Sequence, residues 1–267
     1  MRLLPPFRFP GGKYYCAPWI ISQFPKDFNA YVEPFCGAAN VFFAKQESEN
    51  EVLGDLDSSI IEILQLLKEG WGDLYEWLRN LEYSECTFQT AKIGLLPFSL
   101  DLVNTRAANA LVTRRMSRCG QGQAFSWCER LRGGQPSEIN AWNNFVRRVP
   151  EIGRRLKNTI VVQSHAFTLL DAYASSSTLF YIDPPYYGPS RSSSTKLYLH
   201  NFESEEEHIA LVEKIRDMDG FFMLSGYNHP LYADILCGWK KSYLERPNNM
   251  GVGEKKGVKR EVLWRNF

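Results

Sequence analysis

One feature restricts the fold of this chain more than any other. At both ends of the chain, short apolar runs alternate with helical patterns. Helical spacing is clearest over residues 58–68, which Asp57 or Ser58 can cap. The apolar runs are rich in β-branched and aromatic residues and cover 30–33, 51–54, 159–162, 178–182, 221–224 and 261–264. This alternation predicts an α/β fold with a mostly parallel, doubly wound sheet.

The middle of the chain breaks the alternation. Helical patterns cover 71–81 and 100–115, and a loop rich in Gly, Gln and Arg follows over 119–136. We therefore predict one α/β domain that is interrupted by a mainly helical insert. The predicted domain bounds are 1–69 and 156–267 for the α/β part and 70–155 for the insert.

Positive charge is concentrated in part of the chain. The 31 Lys and Arg nearly balance the 30 Asp and Glu, but residues 106–155 contain ten Arg, three Glu and no Lys. Arginine matches phosphate and the guanine edge bidentately, whereas lysine offers a point charge. The arginines alternate with Gly, Gln, Ser and Trp, which favours a segment that faces nucleic acid over a solvated helical face. A second basic loop is predicted over 248–260.

Cysteine and histidine spacing gives no sign of a metal site. The six cysteines include no CxxC pair and are typical of reduced, mostly buried thiols, and the four histidines are scattered. No apolar run approaches the ~20 residues of a membrane span, and no apolar region follows the basic start. We expect a soluble protein without a signal peptide.

The first motif is Val-Glu-Pro-Phe-Cys-Gly-Ala-Ala-Asn over 32–40, a strand followed by a turn of small residues and a helix. Such a turn lies where nucleotide-like ligands bind in open α/β folds, and Gly37 can adopt a positive φ. Asp55 ends the next predicted strand, where an acid can accept the hydroxyls of a ribose. A simple turn and helix cap is the alternative.

The second motif, Tyr-Ile-Asp-Pro-Pro-Tyr-Tyr-Gly over 181–188, follows a predicted strand directly. Its two prolines restrict the backbone. The motif thereby presents the Asp183 carboxylate, the Pro184 carbonyl and an aromatic ring together. Two acceptors and a ring suit the amino group and the plane of a base. A third motif, Phe-Pro-Gly-Gly-Lys over 9–13, can bind an anion but is nonspecific alone.

Taken in order, these motifs resemble those of the Dam-type, class alpha, adenine-specific DNA methyltransferases. The resemblance rests on residues 9–13, 33–37, Asp55, 183–186 and 261–267 and covers nearly the whole chain outside the insert. It implies a Rossmann-like fold that uses S-adenosyl-L-methionine, with the insert as the target-recognition domain. It also implies methyl transfer to adenine N6 in double-stranded DNA with base flipping.

The resemblance and the basic insert together assign the candidate site residues. The catalytic candidates are Asp183, Pro184 and Tyr186. The cofactor-binding candidates are Phe9, Gly12, Lys13, Glu33, Pro34, Phe35, Gly37, Asp55, Phe167 and Asp183. The DNA-binding candidates are Arg114, Arg115, Arg118, Gln121, Gln123, Arg130, Arg132, Arg191 and Lys196. The resemblance further implies a cytoplasmic, bacterial or phage enzyme, either of a restriction-modification system or an orphan. We expect a monomer or homodimer.

Three positions depart from the family pattern. Phe9 replaces the usual Trp, and Ala39 stands where a second glycine is common. Ala166-Phe167 occupies the place of an expected Asp-Phe, so a contact to the cofactor adenine changes. The insert does not resemble the segment of the enterobacterial enzymes that reads GATC, which leaves the target sequence open.

Alternative functions share these motifs. An RNA adenine methyltransferase would use the same pocket, and a cytosine-N4 methyltransferase more often carries Ser at position 183. A noncatalytic DNA-binding protein of the same fold is an alternative of another class. Tritiated methyl transfer to duplex DNA compared with RNA separates these possibilities.

Overall fold

The computed structural model describes residues 2–185, 202, 204–226, 228–247 and 258–267. The helices in chain order are α1 Ala17–Ile21, α2 Asn40–Ala44, α3 Ser58–Glu69, α4 Trp71–Arg79, α5 Glu85–Lys92, α6 Leu102–Met116, α7 Ser137–Val146, α8 Val149–Leu156, α9 Ala166–Tyr173, α10 Glu205–Asp217 and α11 Pro230–Ile235. The strands are β1 Ala30–Glu33, β2 Asn50–Asp55, β3 Leu131–Arg132, β4 Gln135–Pro136, β5 Ile160–Gln163, β6 Thr178–Ile182, β7 Phe221–Gly226, β8 Lys240–Pro247 and β9 Val258–Arg265.

The chain forms two compact units. The first, which we call the helical unit, comprises Met1–Tyr14, Gly37–Ala44 and Asp57–Gln163. The second, which we call the sheet unit, comprises Tyr15–Cys36, Lys45–Leu56 and Ser164–Phe267.

The sheet unit is built on strands in the order β2-β1-β6-β7-β9-β8. Strands β2, β1, β6 and β7 are parallel, whereas β9 runs antiparallel to β7 and β8. Val32 lies opposite Val52 on one side and Phe180 on the other, and all three are buried. Strands buried on both faces read as continuous apolar runs, which is why the sequence located them. The predicted α/β fold with a mostly parallel sheet is confirmed.

The helical unit packs α3 against α6 and α8, and α4 against α8. Helix α3 begins after Asp57, whose carboxylate accepts from the amide of Ser59 at 2.9 Å, and it buries its apolar face. A Cβ added at Gly153 of α8 would lie 2.4 Å from the ring of Trp71. Glycine at that position therefore lets the two helices approach closely.

The compact units do not follow the predicted domain bounds. Helix α3 precedes residue 70 but belongs to the helical unit because it packs on α6 and α8. The functional division at residues 70 and 155 stays a prediction.

Two local predictions need correction. The loop predicted over 248–260 overlaps β9, where the Arg260 guanidinium donates to the Glu245 carboxylate across the strand pair at 3.1 Å. The loop predicted over 119–136 contains a 3₁₀ turn and the short hairpin β3–β4. Within the part of the chain that the structure describes, no helix combines the length and apolarity needed to cross a membrane.

Candidate active site

Acidic residues end three neighbouring parallel strands of the sheet unit. Glu33 is the last residue of β1, Asp55 is the last residue of β2, and Asp183 follows β6 directly. Strand β1 pairs in parallel with both β2 and β6, so the three carboxyl ends meet at one edge of the sheet. Ligands of open α/β sheets bind outside this edge. The structure therefore brings these three predicted site residues to the same edge.

Glu33 belongs to a buried polar network that the sequence did not reveal. The Tyr31 hydroxyl donates to the Glu33 carboxylate, and Lys45 forms an ion pair with Glu51. The Lys45 ammonium lies 4.4 Å from the centre of the Tyr31 ring. Burial, followed by the charge of Glu33, raises the pKa of Tyr31 well above its ordinary value. Tyr31 thus remains a hydrogen-bond donor that orients the Glu33 carboxylate.

Backbone hydrogen bonds tie the turns at this edge to the end of β2. The amide of Cys36 donates to the carbonyl of Gly54 at 2.9 Å, and the amide of Ser164 donates to the carbonyl of Asp55 at 3.1 Å. Pro34 is buried and Phe35 is half-buried. These bonds hold the turn after β1 and the start of α9 beside the half-buried Asp55.

Phe167 lies in the first turn of α9. The amide of Phe167 donates to Nδ1 of His165 at 3.2 Å, and the two rings meet edge to face with centres 5.1 Å apart. An imidazole thus caps this helix beside the Ala166-Phe167 pair, where an Asp-Phe pair was expected. Exposed His165 is a neighbour of Phe167 that sequence reasoning did not assign to the site.

The turn after β6 presents Asp183 half-buried and Pro184 buried. Both lie in the sheet unit, next in sequence to the fully buried Ile182. Predicted site residues Tyr186, Arg191 and Lys196 lie outside the described residues.

The helical unit holds a second group of predicted cofactor residues. Gly37 has φ +48°, and a Cβ added there would lie 3.0 Å from the Phe9 ring. The Arg114 guanidinium lies 5.6 Å from the centre of that ring. Ala39 has φ +51°, so it adopts the left-handed conformation that the family's more common glycine would favour.

The Gly-Gly turn near the N-terminus is closely packed within the same unit. The amide of Gly12 donates to the Phe9 carbonyl at 3.0 Å, and a Cβ on Gly12 would lie 3.0 Å from the Asn40 amide nitrogen. Lys13 is buried, with Nζ donating to the Gly11 carbonyl at 3.3 Å. A side chain at position 12 would therefore require Phe9 or Asn40 to shift by a few tenths of an ångström.

Two of the predicted DNA-binding arginines are engaged inside the helical unit. Arg114 donates to Ser59 Oγ at 2.9 Å and pairs with Asp57 at 3.4 Å. Arg115 lies over the Phe145 ring at 4.4 Å and donates to the Ala141 carbonyl at 3.0 Å. Burial, followed by the charges of Arg8 and Arg148, lowers the pKa of Arg115 to about 9. These contacts give Arg115 a structural role, and its DNA contact stays a prediction.

The other described DNA-binding candidates are exposed. They are Arg118, Gln121, Gln123, Arg130 and Arg132. Arg130 precedes β3 and Arg132 is its last residue. The turn of the β3–β4 hairpin consists of Gly133 and Gly134, both with positive φ. A groove of about 470 Å³ runs between α6, the end of α5 and Gly120–Gly122, and it is lined by Arg114 and Gln121 among others. Among the described residues, no cluster of His, Cys, Asp and Glu could hold a metal ion.

Comparison with known families decides the identity. The sequence model of the family described as D12 class N6 adenine-specific DNA methyltransferase matches residues 9–245. The chain belongs to this family. The predicted resemblance and enzymatic function are thereby confirmed, and the RNA, cytosine-N4 and noncatalytic alternatives are not supported.

This D12 class methyltransferase has similar curated relatives. It is 22% identical to the Type II methyltransferase M1.LlaDCHI of Lactococcus lactis subsp. cremoris, over 100% of this chain and 96% of that protein. It is 21% identical to the Type II methyltransferase M.MjaIII of Methanocaldococcus jannaschii, over the full length of both. Among solved structures, the rRNA methyltransferase aviRa of Streptomyces viridochromogenes covers 93% of this chain and 81% of its own, with 12% identity and a TM-score of 0.41.

Membership in a methyltransferase family implies the use of S-adenosylmethionine and a DNA substrate in general terms. Sequence reasoning missed Tyr31 as a partner of Glu33 in this methyltransferase, although residues two apart in a strand share a face. It gave no signal for Lys45 and Glu51, because their pairing depends on the folded structure.

Proposed function

We propose that this methyltransferase binds S-adenosylmethionine at the carboxyl edge of its sheet and methylates N6 of an adenine flipped out of duplex DNA. The observation that supports this most is the position of Asp183-Pro184 directly after β6, on the edge where β1 ends in Glu33 and β2 ends in Asp55. One edge then holds acids for the cofactor and acceptors for the target.

The side chains at this edge fit the cofactor chemically. Carboxylates such as Asp55 accept hydrogen bonds from ribose hydroxyls and attract cationic groups, and the Phe167 ring offers a face for a base. The Tyr31 hydroxyl and the backbone around Cys36 hold the Glu33 end of the edge in place. Bound S-adenosylmethionine would supply an electrophilic methyl group. Cofactor binding by Phe9, Gly12, Lys13 and Gly37 stays a prediction from the resemblance.

Asp183 and Pro184 would act on the adenine amino group. Its nitrogen is a poor nucleophile because the lone pair is delocalised into the ring. Hydrogen bonds from its two N–H groups to the Asp183 carboxylate and the Pro184 carbonyl favour a localised lone pair and stabilise the charge that develops. The remaining requirement is alignment of the two bound partners.

Duplex DNA would contact the exposed basic residues of the helical unit. Arg118, Arg130 and Arg132 are exposed, and we infer that they would neutralise phosphates or read bases, with Gln121 and Gln123 as further base contacts. The amino group is inaccessible inside a duplex, so the base must be extruded, and Tyr186 is proposed to stack on it. From the Type II methyltransferase names of the relatives we infer an enzyme of a restriction-modification system, which would act in the cytoplasm.

Replacement of Asp183 tests the proposal. Asp183→Ala should lower the rate of tritiated methyl transfer to duplex DNA free of N6-methyladenine by about 10²–10³-fold. Asp183→Asn should also be strongly impaired, because it retains an acceptor but no charge. S-adenosylmethionine affinity, measured by calorimetry, should remain measurable in both variants.

Asp27→Asn is the matched control, since Asp27 is exposed and precedes the opposite, amino end of β1. It should retain the parental rate. A near-parental rate for Asp183→Ala would mean that the turn after β6 is structural, and the proposal would be wrong.

A further inference from the structure

Arg114, in the last turn of α6, contacts the N-terminal segment of the helical unit. Its guanidinium carbon lies 5.6 Å from the centre of the Phe9 ring and 5.7 Å from the centre of the Phe7 ring. Phe7 is buried, and the Arg114 side chain is only 18% exposed. Both distances lie within the range of about 6 Å over which an aromatic face attracts a cation, and the attraction is stronger when water is excluded.

The start of α3 holds the guanidinium in this place. Arg114 donates to Ser59 Oγ at 2.9 Å and pairs with the Asp57 carboxylate at 3.4 Å. The Ser59 hydroxyl donates in turn to Asp57 at 2.6 Å, and the same carboxylate caps α3. A planar guanidinium can form such hydrogen bonds along its edge while its face covers a ring, whereas the ammonium of a lysine is a point charge. Arginine therefore suits position 114 better than lysine does.

Phe9 is confined from two further directions. Its ring lies against Gly37, where an added Cβ would come within 3.0 Å of it. The carbonyl oxygen of the preceding Arg8 lies against Gly120, where an added Cβ would come within 1.9 Å. Gly120 is buried and has φ +74°. The Phe9 ring is thus enclosed by two glycine turns and by the Arg114 guanidinium.

A second arginine of α6 shows what is particular to Arg114. Arg106 also pairs with an acid of α3, Glu62, at 2.6 Å, but its side chain is 61% exposed. Exposed ion pairs of this kind contribute little. Arg106 is therefore a suitable control for a charge on the same helix that pairs with the same neighbouring helix.

We propose that Arg114 is a positioning residue of this methyltransferase: it holds the Phe9 ring in the place where S-adenosylmethionine would meet it. It acts through Phe9 and not through a contact of its own with the cofactor. The proposal rests on the proposed binding of S-adenosylmethionine by Phe9 and Gly37. A ring that is fixed before the cofactor arrives does not have to be ordered on binding, and such ordering costs affinity.

Calorimetric titration with S-adenosylmethionine in the absence of DNA tests this role. Arg114→Met keeps a long side chain but removes the charge and the hydrogen bonds, and it should raise the Kd about 3-fold to 30-fold. At saturating cofactor, kcat should change less than about threefold, because a contact present equally in ground state and transition state affects KM alone. Arg114→Lys should give an intermediate Kd, and the control Arg106→Met should stay within about twofold of the parent.

A double-mutant cycle shows whether Arg114 acts through Phe9. Phe9→Ala should itself raise the Kd, and adding Arg114→Met should then raise the Kd by less than about twofold. Independent effects that multiply in the double variant would overturn the proposal, as would a parental Kd in either single variant. If Arg114→Met does not fold, as judged by its thermal transition, Arg114→Lys takes its place in the cycle under the same criteria.

The salt dependence of DNA binding separates this role from a phosphate contact. Arg114→Met should leave the log–log slope of duplex affinity against salt unchanged, whereas the loss of one phosphate contact would reduce it by about one unit. A reduced slope with a parental cofactor Kd would assign Arg114 to DNA and overturn the proposal. Failure of the parent to methylate duplex DNA would contradict the proposed function, but the calorimetric cycle needs no DNA and would still decide the role of Arg114.

Discussion

The turn after β1 contains two residues in the left-handed conformation, Gly37 and Ala39. Gly37 has φ +48° and lies against the Phe9 ring. Glycine therefore suits this position both because it adopts a positive φ and because it has no side chain to meet the ring. Ala39 at φ +51° adopts the same region with a buried methyl group. The turn is therefore held by packing rather than by glycine alone.

Gly37→Ala should destabilise the protein more than a change of backbone preference explains. The left-handed conformation costs an alanine about 1–2 kcal/mol, and the new Cβ must also displace Phe9. The free energy of unfolding in urea, compared with that of Gly238→Ala, measures the difference. Gly238 has φ +89° and no heavy atom within 4 Å of an added Cβ, so it isolates the backbone cost. Equal losses in the two variants would mean that the Phe9 contact contributes nothing.

At the scale of elements, α4 and α8 owe their close approach to Gly153. Gly153→Ala should lower the free energy of unfolding by about 1–3 kcal/mol, because its Cβ would lie 2.4 Å from the Trp71 ring. Gly72→Ala in α4 is the matched control, since a Cβ there meets nothing within 4 Å. That variant should be neutral or more stable by up to about 1 kcal/mol. A stabilising Gly153→Ala would show that the helices separate without cost.

Buried His208 in α10 forms a hydrogen bond with the Phe202 carbonyl and should make stability depend on pH. Burial is the largest cause and lowers the pKa of His208, and the charge of His229 lowers this pKa further. The backbone of Phe202, the charge of Glu207 and the backbone of Pro185 raise the pKa by less. The unfolded state therefore takes up a proton first as the pH falls below about 6.5. The stabilisation is fully present above that pH and is lost on acidification toward the lower pKa of the folded state.

Urea unfolding at pH 7.5, 6.5 and 5.5 measures this loss. The parent should lose more stability on acidification than His208→Gln, which cannot titrate at that position. Identical pH slopes for the two proteins would contradict the expected shift.

Strands and strand ends could be predicted from the sequence, whereas their tertiary partners could not. The bounds of β1 and β6 match the apolar runs because strands buried on both faces are continuously apolar. Strand β8 was missed because Lys, Ser, Glu and Arg dominate it. The site acids followed from strand ends, but the contacts of His208 with Phe202 and Tyr232 join segments whose proximity exists only after folding.

Across the whole molecule, the arginine-rich stretch divides into inward and outward residues. The sequence treated Arg115, Arg130 and Arg132 alike, yet Arg115 lies on Phe145 while the hairpin arginines are exposed. Burial of a guanidinium depends on the packing of α6 on α7, which composition does not encode.

Replacing Arg130 and Arg132 together by Gln should reduce the salt dependence of DNA binding by about two units of log–log slope if both contact phosphate. Arg115→Gln should leave that slope unchanged and lower the free energy of unfolding, because a buried charged hydrogen bond contributes about 1.5–3 kcal/mol. Fluorescence anisotropy with a labelled duplex at several salt concentrations measures the slopes. A reduced slope in Arg115→Gln alone would reverse these assignments.

The pairing of Ala30 with Thr178 has a consequence for synthesis on the ribosome. Strand β2 emerges soon after β1, but β6 follows only after the helical insert has been made. At typical translation rates that interval is roughly 7 to 30 seconds. During this time one edge of β1, which contains Tyr31 and Val32, has no strand to pair with. The insert can already fold, because its contacts are closer in sequence. The nascent chain is thus most prone to aggregation, and most in need of a chaperone, between the synthesis of β1 and β6.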